Sequence, residues 1–450
     1  MGRLFGTDGI RGIANEGLTC ELAMQIGRAT AQVLLAHSRR RPLFVVGMDT
    51  RLSSDMLSCA LVAGLCSVGA DVYQLGYITT PAVAYLVGKY KADAGVMISA
   101  SHNSAEFNGI KIFSGDGFKL PDELEEQIES LILKQDYPYS MKTGLDIGKV
   151  STKTDAVKDY IAHLKSTIPT SLEGVSLAVD CANGAASFTA RRLFQELGAD
   201  CHILNDAPDG GNINLACGST HLEGLIQYVR ENHLDIGVAF DGDADRCLCV
   251  DGDGNMVDGD FIIAICALDM KKRGKLARDT VVGTIMSNMG LSRFCEDNGI
   301  HFVVTKVGDR YVLEEMLMEE YNFGGEQSGH VIFRDFATTG DGQLTAIQLL
   351  SLLKREGVSL KEAAKIMTRY PQVMENIKTT QDGKLKFLID PQIKEFIEEK
   401  KELLGHDGRI VARVSGTEPL IRIMAEGLDL ALIQTVVNEI VEMVKKQIAE

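Results

Sequence analysis

Asp241, Asp243 and Asp245 alternate directly after the apolar run Ile236-Gly-Val-Ala-Phe. Carboxylates so close repel one another unless a cation lies among them, and hard oxygen ligands suit Mg²⁺ or Ca²⁺. An EF-hand loop counted from Asp241 needs Gly at its sixth position and Glu at its twelfth. Arg246 and Gly252 stand there instead, so that motif fails. The three read as a Mg²⁺ site whose open positions waters or phosphate oxygens complete, with a solvated acidic turn as the alternative. The later Asp251-Gly-Asp-Gly-Asn lies between two β-rich runs and reads as a hairpin turn.

A phosphoryl group is the natural missing ligand, and Ser101, in Ser99-Ala-Ser-His-Asn after a β-rich run, is placed to carry it. The alternative is a serine that merely forms a turn. A Ser–His hydrolase built on Ser101 and His102 is not expected, because adjacent side chains in extended chain diverge and no G-x-S-x-G occurs. Neither a P-loop nor a G-x-G-x-x-G is present, which disfavours a P-loop kinase and a Rossmann dehydrogenase. Near the C-terminus, Arg413-Val-Ser-Gly-Thr-Glu-Pro runs on to Arg422. Ser415 and Thr417 offer hydroxyls, Gly416 lets backbone N–H groups approach an anion, and Arg413 and Arg422 add forked donors. This is a phosphate cradle without a P-loop, or else a turn flanked by surface arginines.

The elements that must position these groups repeat. A strand from Leu43, a helix over Ser53–Val68, a strand from Gly69, a helix from Pro81 and a strand over Ala94–Ala100 form one unit. The order recurs from Ser176 to Phe240 and from Thr280 to Phe323. Such alternation predicts α/β domains with mixed, largely parallel sheets. The third strand of each unit runs into Ser99-Ala-Ser-His-Asn, Asp241-Gly-Asp-Ala-Asp-Arg or Gly324-Gly-Glu-Gln-Ser-Gly-His. Ligands bind beyond the carboxyl ends of such strands, so one shared site is expected. The remainder reads as a smaller α+β domain with a strand near Arg409–Val414 and a helix from Ala431. The expected boundaries are 1–153, 154–254, 255–369 and 370–450.

At 450 residues several domains are expected. A net charge of −16 argues against nucleic acid. The ten cysteines include no CxxC pair and read as reduced, mostly buried thiols. No signal peptide and no apolar run near the ~20 residues of a membrane span is visible, which predicts a cytoplasmic protein without membrane partners.

Together the four loops resemble the α-D-phosphohexomutase superfamily over essentially the whole chain. Within it, Leu4-Phe-Gly-Thr-Asp-Gly-Ile-Arg-Gly, Asp180-Cys-Ala-Asn-Gly-Ala-Ala, Cys217-Gly-Ser-Thr-His, Val307-Gly-Asp-Arg-Tyr-Val and Thr338-Thr-Gly-Asp-Gly resemble the phosphoglucosamine mutase branch. The resemblance implies three related α/β domains and a smaller fourth around a central cleft. It implies a phosphoserine at Ser101 and one Mg²⁺ per subunit on Ser101, Asp241, Asp243 and Asp245. It places Glu326, Ser328 and His330 on the sugar, and Arg413, Ser415, Gly416, Thr417 and Arg422 on its phosphate. His102 and Arg11 join the catalytic set, and Arg246 supports the phosphoserine. Lys111 is either the general base, its pKa lowered by cationic neighbours, or a phosphate-binding lysine. The implied reaction interconverts glucosamine 6-phosphate and glucosamine 1-phosphate through glucosamine 1,6-bisphosphate, feeding UDP-N-acetylglucosamine and cell-wall precursor synthesis, with a homodimer as the implied assembly. Rivals are a phosphomannomutase or phosphoglucomutase of the same fold, a non-catalytic sugar-phosphate sensor and a metal-dependent phosphatase. One departure stands out: Ser104 occupies the place where the family usually has proline.

Overall fold

The computed structural model describes residues 4–6, 8–35, 41–134, 139–415 and 419–449. They form two compact units, Met1–Thr284 with Val303–Lys365, and Ile285–Phe302 with Ile366–Glu450.

The first unit holds three sheets. In one, the strands run in the order Ile10–Ile13, Phe107–Ser114, Ala94–Ile98, Leu43–Met48, Asp71–Tyr77 and Val150–Thr152. The last four pair in parallel, whereas Phe107–Ser114 runs antiparallel to both its neighbours. The central strands are near-continuous apolar runs because both faces are covered, and Ala94–Ile98 is buried throughout. Helices Cys20–Leu35 and Leu52–Ser67 pack over this sheet in one apolar core that includes Leu18, Phe44, Leu57, Leu61 and Val72.

The second sheet runs Met256–Val257, Cys247–Asp251, Ile236–Phe240, Ser176–Asp180, Asp200–Leu204, parallel in its last three strands and antiparallel in the rest. Cys249 pairs with Val257 and Val250 with Met256, so Asp251–Asn255 is the expected hairpin turn. In the third, Thr280–Thr284 pairs in parallel with Phe323–Gly325, which pairs antiparallel with Val331–Phe333. The strand–helix repeat read from the sequence is therefore present. The antiparallel members Ile10–Ile13 and Phe107–Ser114 were not foreseen, and they carry Arg11 and Lys111.

The second unit contains helix Met289–Asp297 and an antiparallel sheet ordered Gln372–Lys378, Leu420–Gly427, Gly408–Val414. Helix Leu430–Ala449 covers that sheet through Ile433, Val437, Ile440 and Val444. The strand and the C-terminal helix expected here are both found. Glu426, fully buried, accepts from Asn288 Nδ2 at 3.2 Å, Met289 N at 3.2 Å and Arg409 Nε at 2.6 Å. No helix among the described residues is long and apolar enough to cross a membrane.

Candidate active site

Strand Ala94–Ile98 delivers the chain to Ser101, which is 1 % exposed and adopts a left-handed backbone conformation with φ of 53°. A β-carbon disfavours that region, at roughly 1–3 kcal/mol, so the surroundings must impose it. The consequence corrects one expectation. The chain here is not extended, so Ser101 and His102 do not diverge: Ser101 Oγ lies 3.4 Å from His102 Nδ1. The stronger bond runs elsewhere, with Ser101 Oγ donating to Asp241 Oδ2 at 2.5 Å. Burial, then Arg246 and Arg11, push the His102 imidazole down to about 4, so it is neutral at pH 7.

Strand Ile236–Phe240 delivers Asp241, Asp243 and Asp245, whose carboxylate oxygens lie within 4.8 Å of one another in buried surroundings. Gly242 permits this approach, since a β-carbon there would fall 2.5 Å from the carbonyl oxygen of Ser101. Helix Thr80–Tyr90 anchors the loop from the other side: Thr80 N donates to Asp243 O at 3.0 Å and Thr80 Oγ1 to Asp243 Oδ2 at 2.6 Å. Burial and the neighbouring Asp245 and Asp243 push Asp241 up to about 8. Asp243 Oδ1 and Asp245 Oδ1 are buried without a hydrogen-bond partner among the described residues. An all-oxygen donor set with orphaned lone pairs and mutual repulsion fits a hard divalent cation.

Lys111, 2 % exposed, reaches this triad from strand Phe107–Ser114. Its Nζ lies 2.9 Å from Asp243 Oδ2, 3.0 Å from Asp8 Oδ2 and 3.4 Å from Asp245 Oδ2. Burial would lower its pKa, but Asp243, Asp8 and Asp245 hold it well above the usual lysine value. This is the reverse of the surroundings expected for a basic lysine. Of the cationic neighbours anticipated, Arg11 lowers the pKa, and the carboxylates outweigh it. The arrangement favours an ammonium that binds anions. Arg11 sits opposite Gly109 in the strand register and pairs with Asp8.

The ion pairs continue into the third sheet's loops. Lys119 Nζ stands 2.5 Å from both Asp8 Oδ1 and Asp309 Oδ2, and Asp309 Oδ2 is 3.6 Å from His330 Nε2. His330 Nδ1 in turn faces Asp245 Oδ1 at 3.7 Å. Asp245, Lys111, Asp8, Lys119, Asp309 and His330 thus close a ring. Burial opposes charge on His330, yet Asp245, Asp309 and Glu326 push its pKa up to about 9. Gly340 N–H, aimed at Nε2 at 3.0 Å, conversely demands a lone pair there. The backbone donor is fixed by the fold, so we assign the proton to Nδ1, facing Asp245.

Glu326 and His330 flank a tight turn in which Gly329, at φ of 92°, donates to Glu326 O at 3.0 Å. Glu326 Oε1 accepts from Gly308 N at 3.1 Å, and burial raises its pKa. Ser328 Oγ is buried without a partner among the described residues. Arg246 Nε lies 3.9 Å from Asp245 Oδ1 and has no hydrogen bond among them.

The second unit holds Arg413 and Arg422 directly opposite each other on neighbouring antiparallel strands. Opposed residues share a face, and like charges there are destabilising. Burial, then Arg422, lowers the Arg413 pKa. Such a pair suits an anion. Ser415 N donates to Leu420 O at 2.8 Å and Ser415 O accepts from buried Lys384 at 2.6 Å. Gly416 and Thr417 lie outside the described residues.

The structure thus brings Ser101, His102, Lys111, Arg11, Arg246, Asp241, Asp243, Asp245, Glu326, Ser328 and His330 into the first unit. Sequence reasoning missed Asp8, Thr80, Lys119 and Asp309. Asp8 and Asp309 stood inside segments singled out for their resemblance, Leu4–Gly12 and Val307–Val312, which were dense in motif yet had no assigned chemistry. Lys119 and Thr80 carried no local signal.

A buried acidic triad, a serine loop and three α/β sheets together fit the phosphohexomutase class of protein. Models of the phosphoglucomutase/phosphomannomutase α/β/α domains I, II and III match residues 2–138, 158–254 and 258–370, and that of the C-terminal domain matches residues 360–443. The chain belongs to this enzyme family, whose members act as isomerising phosphotransferases. It is 53 % identical over 449 residues to the phosphoglucosamine mutase of Caldanaerobacter subterraneus subsp. tengcongensis, covering 100 % of each chain. It is 52 % identical to the phosphoglucosamine mutase of Clostridium acetobutylicum, covering 99 % of this chain and 100 % of that one. Its fold matches a crystal structure of a phosphoglucomutase/phosphomannomutase family protein from Burkholderia thailandensis with a TM-score of 0.82, at 24 % identity and 98 % and 97 % coverage.

Proposed function

We propose that the chain interconverts glucosamine 6-phosphate and glucosamine 1-phosphate through phosphorylated Ser101. The observation that supports this most directly is the bond from Ser101 Oγ to Asp241, which sets a strained, buried serine against a triad of carboxylates. The phosphoryl group on Ser101 passes to the free hydroxyl of the sugar: the P–O bond to serine breaks, a P–O bond to the sugar forms, and the hydroxyl proton ends, by way of a base, on the released Ser101 Oγ. The resulting glucosamine 1,6-bisphosphate turns over and returns its other phosphoryl group to Ser101.

Asp241, Asp243 and Asp245, with the phosphate on Ser101, would hold one Mg²⁺ per subunit, which supplies neutralisation of charge on the transferring group. Lys111 and Arg11 add fixed positive charge beside it. Glu326, Ser328 and His330 contact the sugar, and His102 and Arg246 flank the phosphoserine. Arg413, Ser415, Gly416, Thr417 and Arg422 hold the phosphate that does not react. Domain limits at 153, 254 and 369, a homodimeric assembly and a cytoplasmic location belong to the same reading.

The test offers purified protein glucosamine, glucose and mannose 6-phosphates with Mg²⁺ and a catalytic amount of bisphosphate. Glucosamine 6-phosphate should be turned over with the highest kcat/KM, and Ser101→Ala should lose nearly all of it. Preference for glucose or mannose would assign a different sugar, and release of inorganic phosphate a phosphatase.

A further inference from the structure

We infer that Arg51 is a positioning residue for phosphoryl transfer, holding the loop that aims Ser101 at Asp241. The inference rests on the reading of Ser101 as the phosphorylated nucleophile. Arg51 precedes helix Leu52–Ser67 and occupies its N-cap position, yet its side chain makes no cap bond. Instead it folds back into the protein interior, with 0 % exposure.

A guanidinium has five N–H groups, and here all five are used. Nε donates to Asp49 Oδ2 at 2.8 Å. Nη2 donates to Ser101 O and Asn103 O, both at 2.8 Å. Nη1 donates to Phe107 O at 2.9 Å and to Ser104 O. Four of the five bonds therefore fall on carbonyls of the short segment from Ser101 to Phe107. The same cluster also holds the other end of the serine. Asp49 accepts from Ser99 Oγ at 2.6 Å, and Ser99 Oγ accepts from Ser101 N at 2.9 Å. From the second sheet's loops, Asn214 Nδ2 donates to Ser101 O at 2.9 Å and Asn103 O at 3.0 Å. Both backbone groups of Ser101 are thus fixed, which accounts for its left-handed φ.

The position of Ser104 gives this cluster its importance. Proline would fix φ within the loop covalently, and serine does not. Within the loop, backbone bonds such as Asn103 N to Ala100 O at 3.1 Å and Phe107 N to Ser104 O at 3.2 Å hold the turns, and Arg51 adds four bonds from outside it. A lysine at the same place keeps the charge but is a compact point donor that cannot span four carbonyls. Misplacing a reacting group by about 1 Å costs roughly 10²-fold in rate.

The experiment compares wild type, Arg51→Lys, Asn214→Ala and Ser101→Ala, each with Mg²⁺, glucosamine 6-phosphate and bisphosphate. Arg51→Lys should lower kcat about 100-fold while KM stays within about threefold, and single-turnover transfer from the phosphorylated enzyme should slow equally. The Mg²⁺ concentration giving half-maximal rate should not move. Asn214→Ala, which removes two bonds to the same carbonyls, should lower kcat about tenfold in the same pattern, and it decides the matter should Arg51→Lys fail to fold. A folded Arg51→Lys with normal kcat, or a rise in KM at constant kcat, overturns the positioning role while leaving Ser101 as nucleophile if Ser101→Ala is inactive. An active Ser101→Ala overturns both.

Discussion

Lys111 Nζ lies 2.9 Å from Asp243 Oδ2, so the ammonium occupies the same carboxylate cluster that suits a divalent cation. Two cations that share one set of carboxylates repel each other. A unit charge at about 4 Å and an effective dielectric near 20 is worth about 4 kcal/mol before solvent and rearrangement reduce it. Lys111→Met should therefore bind Mg²⁺ about tenfold more tightly, equivalent to about 1.4 kcal/mol. Thermal protection by Mg²⁺ alone, without substrate, measures this. Activity should fall by about two orders of magnitude, because the fixed charge beside the transferring group is gone. Weaker Mg²⁺ protection in the variant would show that the ammonium organises the carboxylates instead of competing for them.

The chemistry of the site was legible where it lay in contiguous polar loops, and illegible where it came from strands. Asp241, Asp243 and Asp245 announce themselves because three carboxylates on one turn have few uses. Their relation to Ser101 followed from the shared position of both loops after a third strand. Lys111 and Asp8 are different. Lys111 belongs to a strand, Phe107–Ser114, that joins its sheet antiparallel, and Asp8 lies two residues before another, Ile10–Ile13. No local periodicity reports that partner choice. The sign of the Lys111 environment was misjudged for the same reason: its three carboxylate neighbours come from residues 8, 243 and 245. Arg51 was hidden by its position at a helix start, where an arginine ordinarily points to water.

Asp341 offers a test through pH. It is buried at the N-cap of helix Gly342–Glu356, accepts from Leu344 N at 2.9 Å and from Tyr160 OH at 2.7 Å, and burial pushes it up to about 6. A carboxyl whose folded pKa exceeds its unfolded value of about 3.9 binds its proton more tightly when folded. Its favourable contribution is present below pH 4 and is lost as pH rises through about 6. At neutral pH the buried carboxylate therefore costs on the order of 3 kcal/mol. Asp341→Asn keeps the cap, and the Tyr160 hydroxyl can accept from the new amide. The variant should melt several degrees above wild type at pH 7.5, and the advantage should shrink at pH 4.5. An equal difference at both pH values would show that Asp341 is not the titrating group.

Arg422 tests the anion site of the second unit. The proposed reaction requires one sugar to bind in two orientations, each time with its non-reacting phosphate held by a site other than Ser101. One anion site can serve both orientations, and the opposed pair Arg413 and Arg422 is the place where the sheet itself concentrates positive charge. Binding energy on a non-reacting phosphate helps orient the reacting end. Hydrogen bonds to charged groups are worth roughly 1.5–3 kcal/mol. Arg422→Ala should therefore lower kcat/KM by about one to two orders of magnitude. Glucosamine 6-phosphate, glucosamine 1-phosphate and the bisphosphate should all weaken together, while phosphorylation of Ser101, read by intact mass, stays the same. Measuring all three ligands decides the matter: an effect confined to one of them would mean that the two orientations use different phosphate sites.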